Sequence, residues 1–130
     1  MSDEVRKTFD FPKYVNVRIH KECKQELELL VQKENIPAFI KAYQDRMAYL
    51  SQNIGKETFH RQWFEILKGT KGLRAIRFLR IQNIRILYIV DGNNAYLLLA
   101  FEERQGHRKD EYANYFSPAY SRYQDKEMLE

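Results

Sequence analysis

From Leu73 to Glu103 the chain reads as three strands in immediate succession: Leu73 to Ile81, Ile84 to Val90 and Ala95 to Glu103, each rich in β-branched, aromatic and aliphatic residues. Gln82-Asn83 predicts a two-residue turn, and Asp91-Gly92-Asn93-Asn94 supplies residues that accept positive φ in hairpin loops. Strands joined this tightly pair antiparallel, because a parallel pair needs a crossover of a dozen residues or more. The segment is therefore expected to be a meander onto which the remaining elements must pack.

Upstream, Val15, Val17 and Ile19 alternate with Asn16, Arg18 and His20, the pattern of a strand with one buried face. Cys23, Leu27, Leu30 and Val31 recur at helical spacing between Lys21 and Lys33, and Phe39, Ile40, Tyr43, Met47, Leu50 and Ile54 do so farther on. The short break around Asn35 and Pro37 makes these two helices an antiparallel hairpin, with Pro37 in the first turn of the second. Phe59, Trp63, Phe64 and Leu67 extend the helical spacing into a third short segment, and Ser117 followed by Pro118 predicts the start of a last helix carrying Tyr120, Tyr123 and Met128.

The expected fold is α+β: a strand, an antiparallel helical hairpin, a three-stranded antiparallel meander and a C-terminal helix, all in one domain spanning 1–130. Residues 1–12 read as a flexible N-terminus and residues 107–130 as a C-terminal loop and helix. With the hairpin on one sheet face, the other is expected to be open for binding. The series Tyr112, Tyr115, Tyr120 and Tyr123, with Phe116, allows base stacking, but its helical spacing favours packing, in which case the tail covers that face.

A single cysteine, Cys23, rules out an internal disulfide, so packing alone must hold the fold. The longest apolar runs are too short to span a bilayer and the segment Met1 to Lys7 is charged, so a soluble, cytoplasmic protein is expected. The net charge of +4 is modest, but its distribution is uneven. Between Arg61 and Val90 the charged residues are Arg61, Lys68, Lys71, Arg74, Arg77, Arg80 and Arg85 against Glu65 alone, which points to a basic patch and a polyanionic partner.

Arg85 is the most informative of these, because it interrupts Ile84-Arg85-Ile86-Leu87-Tyr88-Ile89-Val90, a run that otherwise reads as buried on both faces. A guanidinium is always charged and is almost never buried alone, so it must meet an anionic ligand or an internal carboxylate such as Glu65 or Glu102. No Gly-rich phosphate loop, HExxH, paired CxxC or nucleophile elbow is present, and His20 with Cys23 lacks further ligands. No metal and no cofactor are expected.

The segment LKGTKGLRAIRFLRIQNIRILYIVDGNNAYLLLAFEER resembles the RelE/ParE superfamily of small toxins from type II toxin-antitoxin systems, most closely its HigB-like branch. The resemblance is carried by Leu67 and Gly69 before the meander, Arg77 in its first strand, Arg85 through Tyr88 in its second and Phe101 closing its third, and extends more loosely over residues 14 to 123. It implies a RelE-like fold, a cognate antitoxin as partner, possible assembly with it into a hetero-oligomer, and RNA binding on the ribosome with metal-independent endoribonuclease action on messenger RNA. For ParE-like relatives it implies inhibition of gyrase, and an inactive interaction scaffold is a third reading.

Under this resemblance Arg85 matches the arginine that contacts the scissile phosphate, with Arg77 beside it. Tyr88, His107 and Tyr112 are candidate proton-transfer groups, Glu102 or Glu103 a candidate base, and Lys68, Lys71, Arg74 and Arg80 candidate RNA contacts. Strand parity separates Arg74 and Arg80 from Arg77 unless a bulge intervenes. The chain departs from the family pattern at Glu102-Glu103, where a basic pair is common.

Overall fold

The computed structural model describes residues 9–103 and 108–130. The elements are β1 (Val17–Ile19), α1 (Lys21–Leu30), a 3₁₀ turn at Lys33–Asn35, α2 (Ile36–Gln52), a second 3₁₀ turn at Glu57–Phe59, β2 (Phe64–Ile66), β3 (Leu73–Phe78), β4 (Ile84–Asp91), β5 (Asn94–Glu102), α3 (Arg108–Gln124) and a last 3₁₀ turn at Lys126–Met128. The strands form one mixed five-stranded sheet in the order β1-β5-β4-β3-β2, antiparallel except where β1 runs parallel to β5. Among the described residues, no helix is long and apolar enough to cross a membrane.

The α+β class, the two successive helices and the antiparallel meander agree with the sequence reading, but the open sheet face does not. Ile76, Phe78, Ile84, Ile86 and Tyr88 pack with Leu27, Phe39, Met47 and Leu50 of α1 and α2. On the opposite face Leu73, Ala75, Leu87, Ile89 and Phe101 pack with Tyr112 and Ala119 of α3 and with Leu129. Every residue of β4 from Ile84 to Ile89 is buried, so its alternate side chains need apolar cover on both faces, and α3 supplies the second layer.

Four local expectations are corrected. Val15 is fully exposed and β1 begins at Val17. The predicted third helical segment holds β2 instead: Phe64 faces the α1/α2 layer and Leu67 the α3 layer, which no single helical stripe could achieve, and the strand also satisfies the outer edge of β3. The N-terminus expected to be flexible is docked at residues 9–12, where Phe9 packs at 5.9 Å from Phe39 and Phe11 edge-on to Tyr43. The last helix begins at Arg108 rather than at Ser117, so Pro118 lies inside it. Tyr112 and Ala119 are buried and Tyr115 and Phe116 partly buried in one stripe that runs past that proline, and their packing offsets the roughly 3 kcal/mol that an interior proline costs.

Two turns set the register that matters for function. The β4–β5 hairpin forms where expected but closes more tightly, with Asp91 pairing opposite Asn94, and Gly92 adopts φ +63°. The β3–β4 connection is longer than expected: β3 ends at Phe78, which pairs with Ile84, leaving residues 79–83 as the turn. Gln82 and Asn83 do take positive φ, of 58° and 52°. The Gln82 amide holds this turn against the end of α1, accepting from Gln32 N at 2.7 Å and donating to Leu30 O at 2.9 Å.

Within β5 a bulge breaks the ladder, since Leu87 pairs with Leu99 but Tyr88 pairs with Leu97. The extra residue, Leu98, leaves backbone groups that β1 is too short to reach. Arg122 of α3 donates to Leu98 O at 2.9 Å, and Glu26 of α1 accepts from Ala100 N at 3.0 Å. The two side chains pair bidentately at 2.8 and 2.7 Å, clamping the exposed edge of β5 between the helices on its two faces.

Candidate nucleic-acid interface

The register of β3 and β4 places Arg77 directly opposite Arg85, with Phe101 next in the same row on β5. All three face the α3 side, since they share parity with Leu73, Ala75 and Leu87. Two guanidiniums opposite each other repel, so the row requires an anion.

The structure supplies one internally. Arg85 is 3% exposed; its Nη2 lies 2.8 Å from Glu103 Oε2 and its Nε donates to the Tyr112 hydroxyl at 3.0 Å. The expectation of a guanidinium facing an open sheet surface is corrected: it is enclosed by α3 and neutralised by Glu103, rather than by the Glu65 or Glu102 that the sequence suggested. The β5 bulge is the reason, because the parity change after Leu98 turns Phe101 and Glu103 toward the face that carries Arg85.

Arg77 is only half-buried. Its Nη1 donates to Arg61 O at 3.1 Å, and its Nε is buried without a hydrogen bond among the described residues. An unsatisfied donor on a charged group carries a desolvation cost that an incoming anion removes.

The other sequence candidates fall elsewhere. Tyr88 is fully buried on the α1/α2 face, where its hydroxyl donates to Glu57 Oε2 at 2.7 Å. Burial and the Glu57 carboxylate push its phenol far above the usual tyrosine range, so it is neither near Arg85 nor able to exchange a proton there. Arg74 shares that face and pairs with the same Glu57 oxygen, whose partner oxygen accepts from Gly55 N at 2.8 Å. This is a structural network under β2 and β3. Lys68 and Lys71 are exposed in the β2–β3 connection, at the opposite end of β3 from Arg77. Arg80 is exposed in the β3–β4 turn, while His107 lies outside the described residues. Of the predicted site, then, Arg77, Arg85, Tyr112 and Glu103 come together, and Tyr88, Arg74 and the two lysines do not. Among the described residues, no group of three His, Cys, Asp or Glu side chains is placed to hold a metal ion.

Sequence reasoning missed Arg46. It projects from α2 across the end of β3, with its guanidinium carbon 4.7 Å from the Trp63 ring centre and 4.6 Å from that of Phe78. Its Nε donates to Arg77 O at 2.9 Å, and burial draws its pKa down to about 10, which leaves it charged at neutral pH. His60 stacks on the same indole at 4.1 Å and 13°. Trp63, Arg46 and Phe78 border a groove of about 430 Å³ completed by Gln62, Leu79, Arg80 and Ile81. On sequence Arg46 was one polar helix residue among many, and nothing in its spacing marked it.

No family model, no curated protein and no solved structure matches this chain.

Proposed function

We propose that this protein is the toxin of a bacterial type II toxin-antitoxin pair, RelE-like in architecture, acting in the cytoplasm as a metal-independent endoribonuclease on messenger RNA held by the ribosome. The observation that carries the reading is the cross-strand pair of Arg77 and Arg85 on one sheet face, with the Glu103 carboxylate and a proton-bearing hydroxyl, that of Tyr112, both against Arg85. The order of strand, helical hairpin, antiparallel meander and C-terminal helix supports it, as does the resemblance carried by Leu67, Gly69, Arg77, Arg85 and Phe101.

In this mechanism an RNA phosphate displaces the Glu103 carboxylate from Arg85, one anion replacing another in the same fork. Arg77 takes a second non-bridging oxygen. The freed Glu103 accepts the proton of the 2′-hydroxyl as that oxygen bonds to phosphorus, the bond to the 5′-oxygen breaks, and the Tyr112 hydroxyl protonates the leaving oxygen. The arginines stabilise the charge that builds on the phosphoryl oxygens. A cognate antitoxin would hold the protein inactive by covering this site.

Controlled expression in a bacterium, with transcript ends mapped, tests the reading. Growth arrest with new transcript ends is expected, abolished by Arg77→Ala, which leaves the buried Arg85–Glu103 pair in place. Harmless wild-type protein with intact transcripts overturns it.

The enclosure of Arg85 by Glu103 and Tyr112 favours a second reading, in which the same fold inhibits gyrase or another protein without cutting RNA. Inhibition of supercoiling by purified protein with messenger RNA untouched separates the two.

A further inference from the structure

Three guanidiniums gather at the end of the sheet formed by the close of β3 and the approach to β2, those of Arg46, Arg77 and Arg80, with the exposed Arg61 beside them in the chain segment whose carbonyl accepts from Arg77. None of them is hydrogen-bonded to a carboxylate among the described residues; Arg46 and Arg77 bind backbone carbonyls, and Asp45 beside Arg46 is taken by Lys41 at 3.0 Å. The charges occupy both faces. Arg77 points to the α3 side, while Arg46 and Arg80 border the groove on the α1/α2 side. The groove also offers apolar surface from Trp63, Leu79 and Ile81, and Leu79 is 43% exposed, an unusual position for a leucine beside two arginines.

We propose that this groove is a second binding subsite for single-stranded RNA, in which the strand held at Arg77 and Arg85 continues around the end of β3 and lays a nucleotide against Trp63, Leu79 and Ile81 with its phosphate on Arg46 and Arg80. The inference rests on the function proposed above for the Arg77–Arg85 pair and extends it to the neighbouring nucleotides. Three features select this ligand. Unpaired guanidiniums spread over two faces suit a flexible chain bearing a phosphate at each residue better than an isolated acidic side chain. The groove is of a size that admits one base and its sugar. Arg46 is pre-positioned, held between two aromatic rings and tied to the Arg77 carbonyl, so ordering it on binding costs little conformational entropy. The Trp63 ring is already packed by His60 and Arg46, so the nucleotide is placed against the neighbouring aliphatic side chains rather than stacked on the indole.

Trp63 is the chain's single tryptophan, so its fluorescence reports on this groove directly. The full chain is titrated with a single-stranded RNA oligonucleotide of about ten residues at several salt concentrations, following Trp63 emission and, separately, the anisotropy of a labelled RNA. The expected result is a saturable change in Trp63 emission in step with the anisotropy. Arg80→Ala should weaken binding roughly fivefold and reduce the slope of log affinity against log salt by about one, while Lys68→Ala at the far end of β3 leaves both unchanged. Arg80 is an exposed turn residue, so its loss does not threaten folding. RNA binding that leaves Trp63 emission and the Arg80→Ala affinity unchanged, but is lost in Arg77→Ala, overturns this subsite and leaves the proposed function standing. A Trp63 response that depends on Arg80, in a protein whose expression leaves transcripts intact, supports the subsite and overturns the nuclease. An equal response to poly-glutamate, or no RNA binding at all, overturns the subsite.

Discussion

Arg77 and Arg85 face each other across β3 and β4, and the carboxylate that neutralises Arg85 belongs to Glu103, two residues beyond the β5 partner of Arg85. The arrangement is an anion site closed by the protein's own side chain. Its behaviour when that side chain is removed is therefore the most direct measure of what it can hold.

Glu103→Gln leaves Arg85 buried without its counter-charge and should lower the unfolding free energy by about 3 kcal/mol, the lower end of the range for breaking a buried pair, since Tyr112 still contacts the guanidinium. Added phosphate or sulfate should restore part of the loss in the variant's melting temperature while barely moving wild type. A variant that melts like wild type, or that gains nothing from either anion, would show that no anion site lies there.

On the opposite face Glu57 is fully buried and binds Arg74, the Tyr88 hydroxyl and Gly55 N. Glu57→Ala removes the acceptor of all three and should cost about 3–5 kcal/mol in denaturant unfolding. Tyr88→Phe, which removes a single neutral donor, should cost about 1 kcal/mol.

The Arg122–Glu26 clamp satisfies the backbone of the β5 bulge, so the two residues should be energetically coupled. A double-mutant cycle with Arg122→Ala and Glu26→Ala is expected to give an interaction energy of about 1–2 kcal/mol, and an additive result would remove the clamp from the account of the bulge. Each single variant should also increase hydrogen exchange at Ala100 N, whose acceptor is Glu26.

Cys23 is completely buried, and that burial raises its thiol well above the usual range, with Glu26 adding to the effect. The native protein should resist thiol reagents, and its labelling rate should rise with denaturant in parallel with global unfolding. Fast labelling in buffer alone would mean that α1 opens locally.

Tyr123 donates to Asp91 Oδ2 at 2.5 Å, and that bond, more than burial, raises its pKa from 10.0 to about 12. The folded state thus holds the phenolic proton more tightly than the unfolded state does. The stabilisation is fully present below pH 10 and is lost as the pH rises through about 12. The stability difference between wild type and Tyr123→Phe should accordingly be constant up to pH 10 and shrink above it.

The sequence by itself determined the α+β class, the two successive amphipathic helices, the three-stranded meander and the concentration of arginines along it. Those follow from hydrophobic period, turn residues and charge order, all of which are local. It also showed that Arg85 needed an anion, because no environment neutralises a guanidinium by removing its proton. Only the tertiary structure decided which anion. The residues that set that choice lie far apart in the chain: a five-residue turn pinned by Gln82 to α1 sets Arg77 opposite Arg85, and a bulge at Leu98 held by Arg122 and Glu26 turns Glu103 inward. A shift of one residue in either connection would exchange the faces of every side chain beyond it, and sequence alternation cannot register such a shift because it carries parity within a strand but not between strands. The burial of both sheet faces was decided in the same way, since the stripe on α3 becomes a cover only where the folded chain brings it over β4 and β5.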